Sequence, residues 1–382
     1  MKILLDKWES KHESSCEWLY WKKITGIGRN LENLLNNSKG TIQYIVYTNY
    51  DMLNEFDFTN KNVEMKTYNV SKNSSMKNLL WTTFVFPFKV LHEKADIALI
   101  PNFTLLLLKF KPTVVIMHDL IEFNVPNKFS KLKMFYRTKL ADPITAKMSN
   151  KIITVSQNSK RDIVKYLNVK EDRIAVVYNG VDTKKFHKME EQKASEIIKN
   201  RNWPTEFILY AGTIDHPGKN AMNVIKAYEK LVQRKVYDGK LILAGMPGSG
   251  FEEIEHYIQK SEYKEGIVLT GYVTDEELIA LYSMCKVFCF VSLYEGFGIP
   301  PLEALACGAK VIVSDSSALP EVVGSVGVTV NPLDVDAIAD SILTEMQGRN
   351  NKNVDEVKKH IEQYDWKKLS AEFEEVLINV GK

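Results

Sequence analysis

The chain has 382 residues, 45% hydrophobic and 26% charged, the make-up of an ordinary water-soluble protein. Dividing by about 150 residues per domain suggests two or three domains, of which two is taken here. No uninterrupted apolar run reaches membrane length, so no segment is expected to cross a bilayer, and a net charge of +2 gives little reason to expect nucleic acid as a partner. That small net charge hides an asymmetry: residues 1–185 carry 29 Lys+Arg against 18 Asp+Glu, whereas residues 186–382 carry 21 against 30.

In chain order, Met1-Lys-Ile-Leu-Leu-Asp6 is too short and too soon polar for a secretory signal and reads as a first strand, so the protein is expected in the cytoplasm. Further strands are predicted at Thr41 to Tyr47, Asp96 to Ile100, Thr113 to Met117 and Lys151 to Val155. Between the last two lies the densest basic stretch, Lys128, Lys131, Lys133, Arg137, Lys139, Lys147 and Lys151, interleaved with Phe129, Leu132, Met134, Phe135, Tyr136 and Leu140. It reads as a basic, partly amphipathic helix, either a solvated helix with its apolar face in the core or a dock for an anionic membrane surface. Its aromatics match no RNA-binding signature.

A polar run from Thr183 to Arg201 interrupts the strand pattern and marks a linker. From Phe207 onward strands and helices alternate closely. Strands at Phe207 to Ala211, Lys240 to Ala244 and Ile267 to Thr270 are followed by helices at Asn220 to Arg234, Phe251 to Tyr263 and Thr274 to Cys285, the last opened by a Thr274/Glu277 capping box. Asp334 is expected to cap a later helix. Such alternation implies parallel sheets with helices on both faces, hence an α/β protein of two Rossmann-like domains facing each other across a deep cleft. Cys16, Cys285, Cys289 and Cys307 show no paired metal spacing and read as reduced core thiols.

The segment Glu295-Gly-Phe-Gly-Ile-Pro-Pro-Leu-Glu303 carries the most chemistry. It lies between apolar runs at Val287 to Ser292 and Lys310 to Ser314 and is therefore a strand-to-helix crossing. Gly296 and Gly298 let a ligand approach the backbone, and a proline suits the helix start. A helix N-terminus attracts the diphosphate of a nucleotide, and Glu303 is expected in its first turn. Two carboxylates beside an anion site repel phosphate and instead suit hydroxyls, which points to a sugar and a ribose.

Val291 to Gly308, with Ser314-Asp-Ser-Ser-Ala-Leu-Pro-Glu-Val-Val-Gly324 behind it, closely resembles the retaining family 4 glycosyltransferases, also called group 1, of the GT-B fold. The likeness extends to Gly26-Ile-Gly28-Arg29, His118-Asp-Leu120, Val155 to Lys160, Tyr178 to Asp182, Gly212-Thr213, Lys219-Asn220 and Gly271 to Leu278, nearly the whole chain. It implies an acceptor-binding domain over 1–185, a nucleotide-sugar domain over 186–360 and a last helix, 361–382, crossing back to the first domain.

The resemblance implies a metal-independent hexosyltransferase using a nucleoside diphosphate sugar, with no further cofactor, and a glycan or lipid-linked glycan as acceptor. His118, after the strand Thr113 to Met117, would contact the donor sugar near the reacting carbon. Glu295 would bind the sugar hydroxyls and Glu303 the ribose. Lys219 would clamp the diphosphate, but the second basic residue common in the family is replaced by Thr213 and Gly218. Either Lys219 works with the amides of Phe297, Gly298 and Ile299, or Arg29 supplies the missing charge. Gly26 and Gly28 would approach the phosphate, and the loop from Gly245 the base and ribose. The pair Asp334 and Asp336 reads as helix-capping sequence rather than a metal site. The Gly-Ile-Pro-Pro form resembles builders of bacterial surface polysaccharide and suggests GDP-mannose as donor. The enzyme would work in the cytoplasm or peripherally at the inner face of the membrane. A sugar-nucleotide hydrolase or epimerase, and a non-catalytic nucleotide-sugar-binding subunit, are the alternatives.

Overall fold

A computed structural model of the protein describes residues 1–7, 26–40, 42–71, 73–101, 104–125, 130–348 and 353–382. Thr41, Lys128, Phe129 and Cys16, all named above, lie outside the described residues. The chain forms two compact units, Met1–Gly180 with Trp366–Lys382, and Val181–Asp365. The division falls at 180/181 rather than at 185. The reason is local: the Val181 amide donates to the Tyr364 carbonyl, and Asp182 accepts from the amides of Lys184 and Lys185, so this turn belongs to the second unit.

The first unit is built on seven parallel strands, β1 (Lys2–Lys7), β2 (Gln43–Asn49), β3 (Val63–Tyr68), β4 (Ile97–Ile100), β5 (Thr113–Ile116), β6 (Lys151–Thr154) and β7 (Ile174–Val176), in the order β3-β2-β1-β4-β5-β6-β7. β3 and β7 were not anticipated above. Side chains alternate across the sheet with the period of two that a strand imposes. Leu4, Ile45, Ala98, Ile100 and Val115 enter one core, while Ile3, Leu5, Tyr44, Val46, Leu99 and Val114 enter the other. That second core is closed by helix Trp366–Gly381, whose Leu369, Phe373 and Leu377 pack with Leu31, Leu34 and Leu35 of helix Gly26–Asn36. Each such buried Leu or Phe is worth about 1.5–3 kcal/mol relative to exposure. Glu374, only 4% exposed, holds the seam by accepting from the Ser38 hydroxyl and from the Tyr44 hydroxyl at 3.4 Å.

The second unit carries six parallel strands, β8 (Phe207–Ala211), β9 (Lys240–Ala244), β10 (Ile267–Gly271), β11 (Val287–Phe290), β12 (Val311–Ser314) and β13 (Val328–Val330), in the order β10-β9-β8-β11-β12-β13. β8, β11 and β12 are buried along their whole length, as expected for strands covered on both faces. The capping box forms: the Glu277 amide donates to Thr274 Oγ1 and the Thr274 amide to Glu277 Oε2. In each unit the strand order reverses once, between β1 and β4 and between β8 and β11. In open α/β sheets the crevice beyond the carboxyl ends of the strands at such a reversal is where ligands bind.

Among the described residues no helix is long and apolar enough to cross a membrane.

Candidate active site

In the second unit, two loops leave the reversal side by side: Gly212 to Asn220 after β8, and Val291 to Gly298 after β11. They are tied by backbone and side chain. The Leu293 amide donates to the Gly218 carbonyl at 2.9 Å, and Asn220, itself at φ 59°, donates its side-chain amide to the carbonyls of Val291 and Pro332. Lys219 and Glu295 meet across this seam. Lys219 Nζ lies 2.6 Å from Glu295 Oε1 and 2.8 Å from Oε2 and stands 5.9 Å from the centre of the Phe290 ring. Below it, the Lys219 backbone amide donates to the carboxylate of Asp215, a residue only 6% exposed. Ser317 Oγ accepts from the Glu295 amide at 3.0 Å and fixes the start of the turn.

The loop after β9 forms the third wall. The Ile214 amide donates to the Met246 carbonyl, that of Gly248 to Ile214 and that of His216 to Ser249, a ribbon that zips the two loops together. Gly245 is required here: it sits at φ 148°, and a Cβ would fall 1.8 Å from the Gly212 carbonyl oxygen. Thr213 is exposed beside this ribbon, its carbonyl accepting from the Tyr210 hydroxyl at 2.8 Å.

The Glu295 to Glu303 turn departs from expectation in two ways. Helix Ile299–Ala306 places Glu303 in its second turn, because the chain turns through Gly298 at φ 105° before the helix begins. Pro300 and Pro301 occupy positions where helix amides would otherwise point outward, and proline has no N–H. The helix therefore lacks a full set of N-terminal amides, and no side chain caps it. The Phe297 side chain is 3% exposed and packs edge-on against Tyr364 at 5.8 Å, so Phe297 can offer only its backbone. Gly298 leaves room for Leu319, whose methyl would lie 2.4 Å from an added Cβ. Burial pushes the Glu303 carboxyl up to about 7, Lys185 partly offsetting it.

In the first unit, His118 lies two residues past the end of β5 and is 8% exposed. Its carbonyl accepts from Ser159 Oγ at 3.1 Å, and Asp119 Oδ1 accepts from the Ile121 amide, which starts the short helix Ile121–Asn124. Gly26 and Gly28 lie in helix Gly26–Asn36. Arg29 is exposed and paired with Glu32 of its own helix at 2.9 Å. Both cations expected at the diphosphate are thus ion-paired, Arg29 on its own helix and Lys219 across the seam of the two loops.

Asp334 caps helix Val335–Met346 by accepting from the Ala337 amide, and Asp336 pairs with Lys230 and Arg234. Among the described residues no group of three or more His, Cys, Asp or Glu side chains is placed to hold a metal ion. Asp215 and Ser317 were given no role from sequence because each acts through a bond to a backbone amide, and nothing in composition or spacing separates them from ordinary turn residues.

Known proteins resemble the chain in sequence and in fold. A family profile described as Glycosyl transferases group 1 matches residues 191–363, and one described as Glycosyltransferase Family 4 matches residues 26–185. The O-antigen chain mannosyltransferase B of Escherichia coli is 32% identical over 241 residues, covering 63% of this chain and 62% of that protein. The serotype-specific mannosyltransferase WbdA of Escherichia coli is also 32% identical, over 235 residues, 59% of this chain. The chain spans less than two thirds of these relatives, and only 28% of WbdA. The crystal structure of Anabaena Alr3699/HepE in complex with UDP and glucose superposes with a TM-score of 0.72 at 17% identity, covering 99% of this chain and 100% of that one, a likeness of fold. With two parallel-sheet α/β domains of the GT-B type and family profiles matching both, the chain belongs to the group 1, family 4 glycosyltransferases.

Proposed function

We propose that this protein transfers a hexose, with mannose as the sugar and GDP-mannose as the donor, to a glycan or lipid-linked glycan of a surface polysaccharide, with retention at the anomeric carbon. The observation that carries this reading is the Lys219–Glu295 pair at the strand reversal of the second unit, beside the amides of Gly296 to Ile299. Mannose is supported by the relatives, whose names are those of O-antigen and serotype-specific mannosyltransferases.

The donor diphosphate meets the turn amides and Lys219, which stabilise the charge on the departing nucleotide without a metal. Glu295 accepts from hydroxyls of the sugar while still orienting Lys219, and Glu303 accepts from the ribose. The loop from Gly245 with Thr213 borders the base. His118 touches the sugar near the reacting carbon. No carboxylate is assigned as nucleophile. The acceptor hydroxyl attacks the face from which the diphosphate leaves, and a diphosphate oxygen takes its proton.

The acceptor is met at the cytoplasmic face of an anionic membrane. Leu132, Phe135 and Leu140 are 79, 57 and 41% exposed on the helical stretch from Lys131 to Met148, beside the exposed Lys131, Lys133 and Lys139. A second helical run, Ser75 to His92, exposes Met76, Leu80, Phe84 and Phe88 at intervals of four. Basic residues near such a surface contribute about 1 kcal/mol each.

The test is a thermal-shift panel of UDP-, GDP-, ADP- and dTDP-sugars, followed by transfer to a lipid-linked acceptor in EDTA with the product's anomeric configuration assigned by NMR. GDP-mannose should raise Tm most. An inverted linkage overturns retention. Free mannose released without any transfer supports the hydrolase reading instead.

A further inference from the structure

Beneath the His118 loop lies a buried group that the transfer described above does not use. Glu122 is 3% exposed and Asp142 1%, and beyond the ion pair of Glu122 with Arg137 none of their four carboxylate oxygens makes a well-aligned hydrogen bond. The Tyr136 hydroxyl beside them is likewise buried and unpartnered. Two carboxylates that face each other out of water repel unless one is protonated, and then a single proton makes a strong, charge-assisted bond between them.

The backbone is shaped to bring these groups together. The helical stretch Lys131 to Met148 passes through a π-helical turn, Tyr136–Ala141, in which the Asp142 amide bonds to the Arg137 carbonyl five residues back. Such turns are rare and recur at functional positions. This one puts Arg137 and Asp142 within reach of Glu122, Arg137 Nε standing 3.3 Å from Glu122 Oε1. Glu122 sits on helix Ile121–Asn124, which Asp119 starts and His118 precedes. Asn124 extends the support by donating to the Leu120 carbonyl and to Asp162.

We propose that Glu122 and Asp142 share one proton and, with Arg137, act as positioning residues that hold the His118–Asp119 segment in place for sugar transfer. Arg137 neutralises ionised Glu122, and protonated Asp142 donates to it. The charged and titratable groups facing Asp142 are Glu122, Asp119, Arg137 and Tyr136. Burial, Glu122 and Asp119 push Asp142 up to about 9, Arg137 pulling the other way, so the shared proton is retained at neutral pH. Above that, two buried anions repel and the segment loosens. The proposal rests on the role given to His118 above.

The experiment follows kcat for the donor accepted in the sugar-nucleotide panel as pH is raised, in the native chain, Asp142→Asn, Asp142→Ala and His118→Ala. Asparagine donates the same bond without titrating. Native kcat should halve near pH 9 and fall about tenfold per pH unit above it while Asp142→Asn shows no such decline, and Asp142→Ala should lose roughly tenfold or more at neutral pH. The raised carboxyl costs folding free energy increasingly as pH climbs from its ordinary value of 3.8 to about 9. Asp142→Asn should therefore melt above the native chain at alkaline pH, the gap narrowing toward acid. An Asp142→Asn profile that follows the native alkaline decline, with His118→Ala inactive, overturns the carboxyl pair alone. A fully active His118→Ala overturns the role of His118 and this proposal with it. If Asp142→Ala does not fold, the pH contrast between the native chain and Asp142→Asn decides by itself.

Discussion

The unit made of Met1–Gly180 and Trp366–Lys382 exposes thirteen large apolar side chains among the described residues, and Val181–Asp365 exposes five. Charge divides similarly, a net of +11 over residues 1–185 against −9 over 186–382. Both units wind a parallel sheet the same way, so the difference lies in what each surface meets. Exposed aliphatic and aromatic residues ringed by lysines suit an anionic, partly apolar surface. The second unit spends its polar groups inward, on three loops stitched around Lys219 and Glu295.

Four measurements break or sharpen that contrast. Lys219→Ala should lower kcat/KM by about tenfold to 150-fold, the worth of a charge-assisted hydrogen bond, whereas Arg29→Ala should change it less than about threefold. The reverse order would move the diphosphate clamp to the first unit. Next in size is membrane binding. Replacing Lys131, Lys133 and Lys139 by Gln should weaken sedimentation with phosphatidylglycerol vesicles by about fivefold per lysine. Phe84→Ser with Phe88→Ser should weaken it further at high salt, where only the apolar part of the attraction survives. Equal binding to neutral vesicles would contradict the electrostatic part.

A smaller effect concerns Glu303. Its carboxyl, raised by burial to about 7, ionises across neutrality, and the ionised form is the better acceptor for ribose hydroxyls. Donor KM should fall a fewfold as pH rises through about 7 and stay flat in Glu303→Gln. Because the folded state holds this proton more tightly than the unfolded chain, the same group reduces stability as pH rises from 4.5 to about 7, so Glu303→Gln should gain Tm relative to native above neutrality. The smallest change is Thr274→Ala, which removes a capping box worth about 1 kcal/mol and should lower Tm by about 2–4 °C without altering KM.

Much of the second unit was legible in sequence because its strands are short apolar runs separated by turn residues, and because Thr274 and Asp334 are caps whose partners lie three residues away. The first unit was read less completely. β3, Val-Glu-Met-Lys-Thr-Tyr, is an edge strand whose alternating polar residues dilute the apolar signal, and β7 has only three residues. Glu303 was placed a turn too early because a positive φ at Gly298 delays the helix, a conformation that glycine permits but does not announce. Arg29 pairs with a glutamate three residues along its own helix, a local contact that the spacing alone allows.

Local pattern determined the parallel α/β architecture, the caps and the glycine-rich turn, since each follows from propensity and hydrogen bonding within a few residues. Only the tertiary structure decided that Lys219 meets Glu295, that Gly245 must yield to the Gly212 carbonyl, and that Glu122 and Asp142 are sealed together beside Arg137. Those outcomes depend on strand order and on which groups lose their water, and both are settled by packing between residues far apart in the chain.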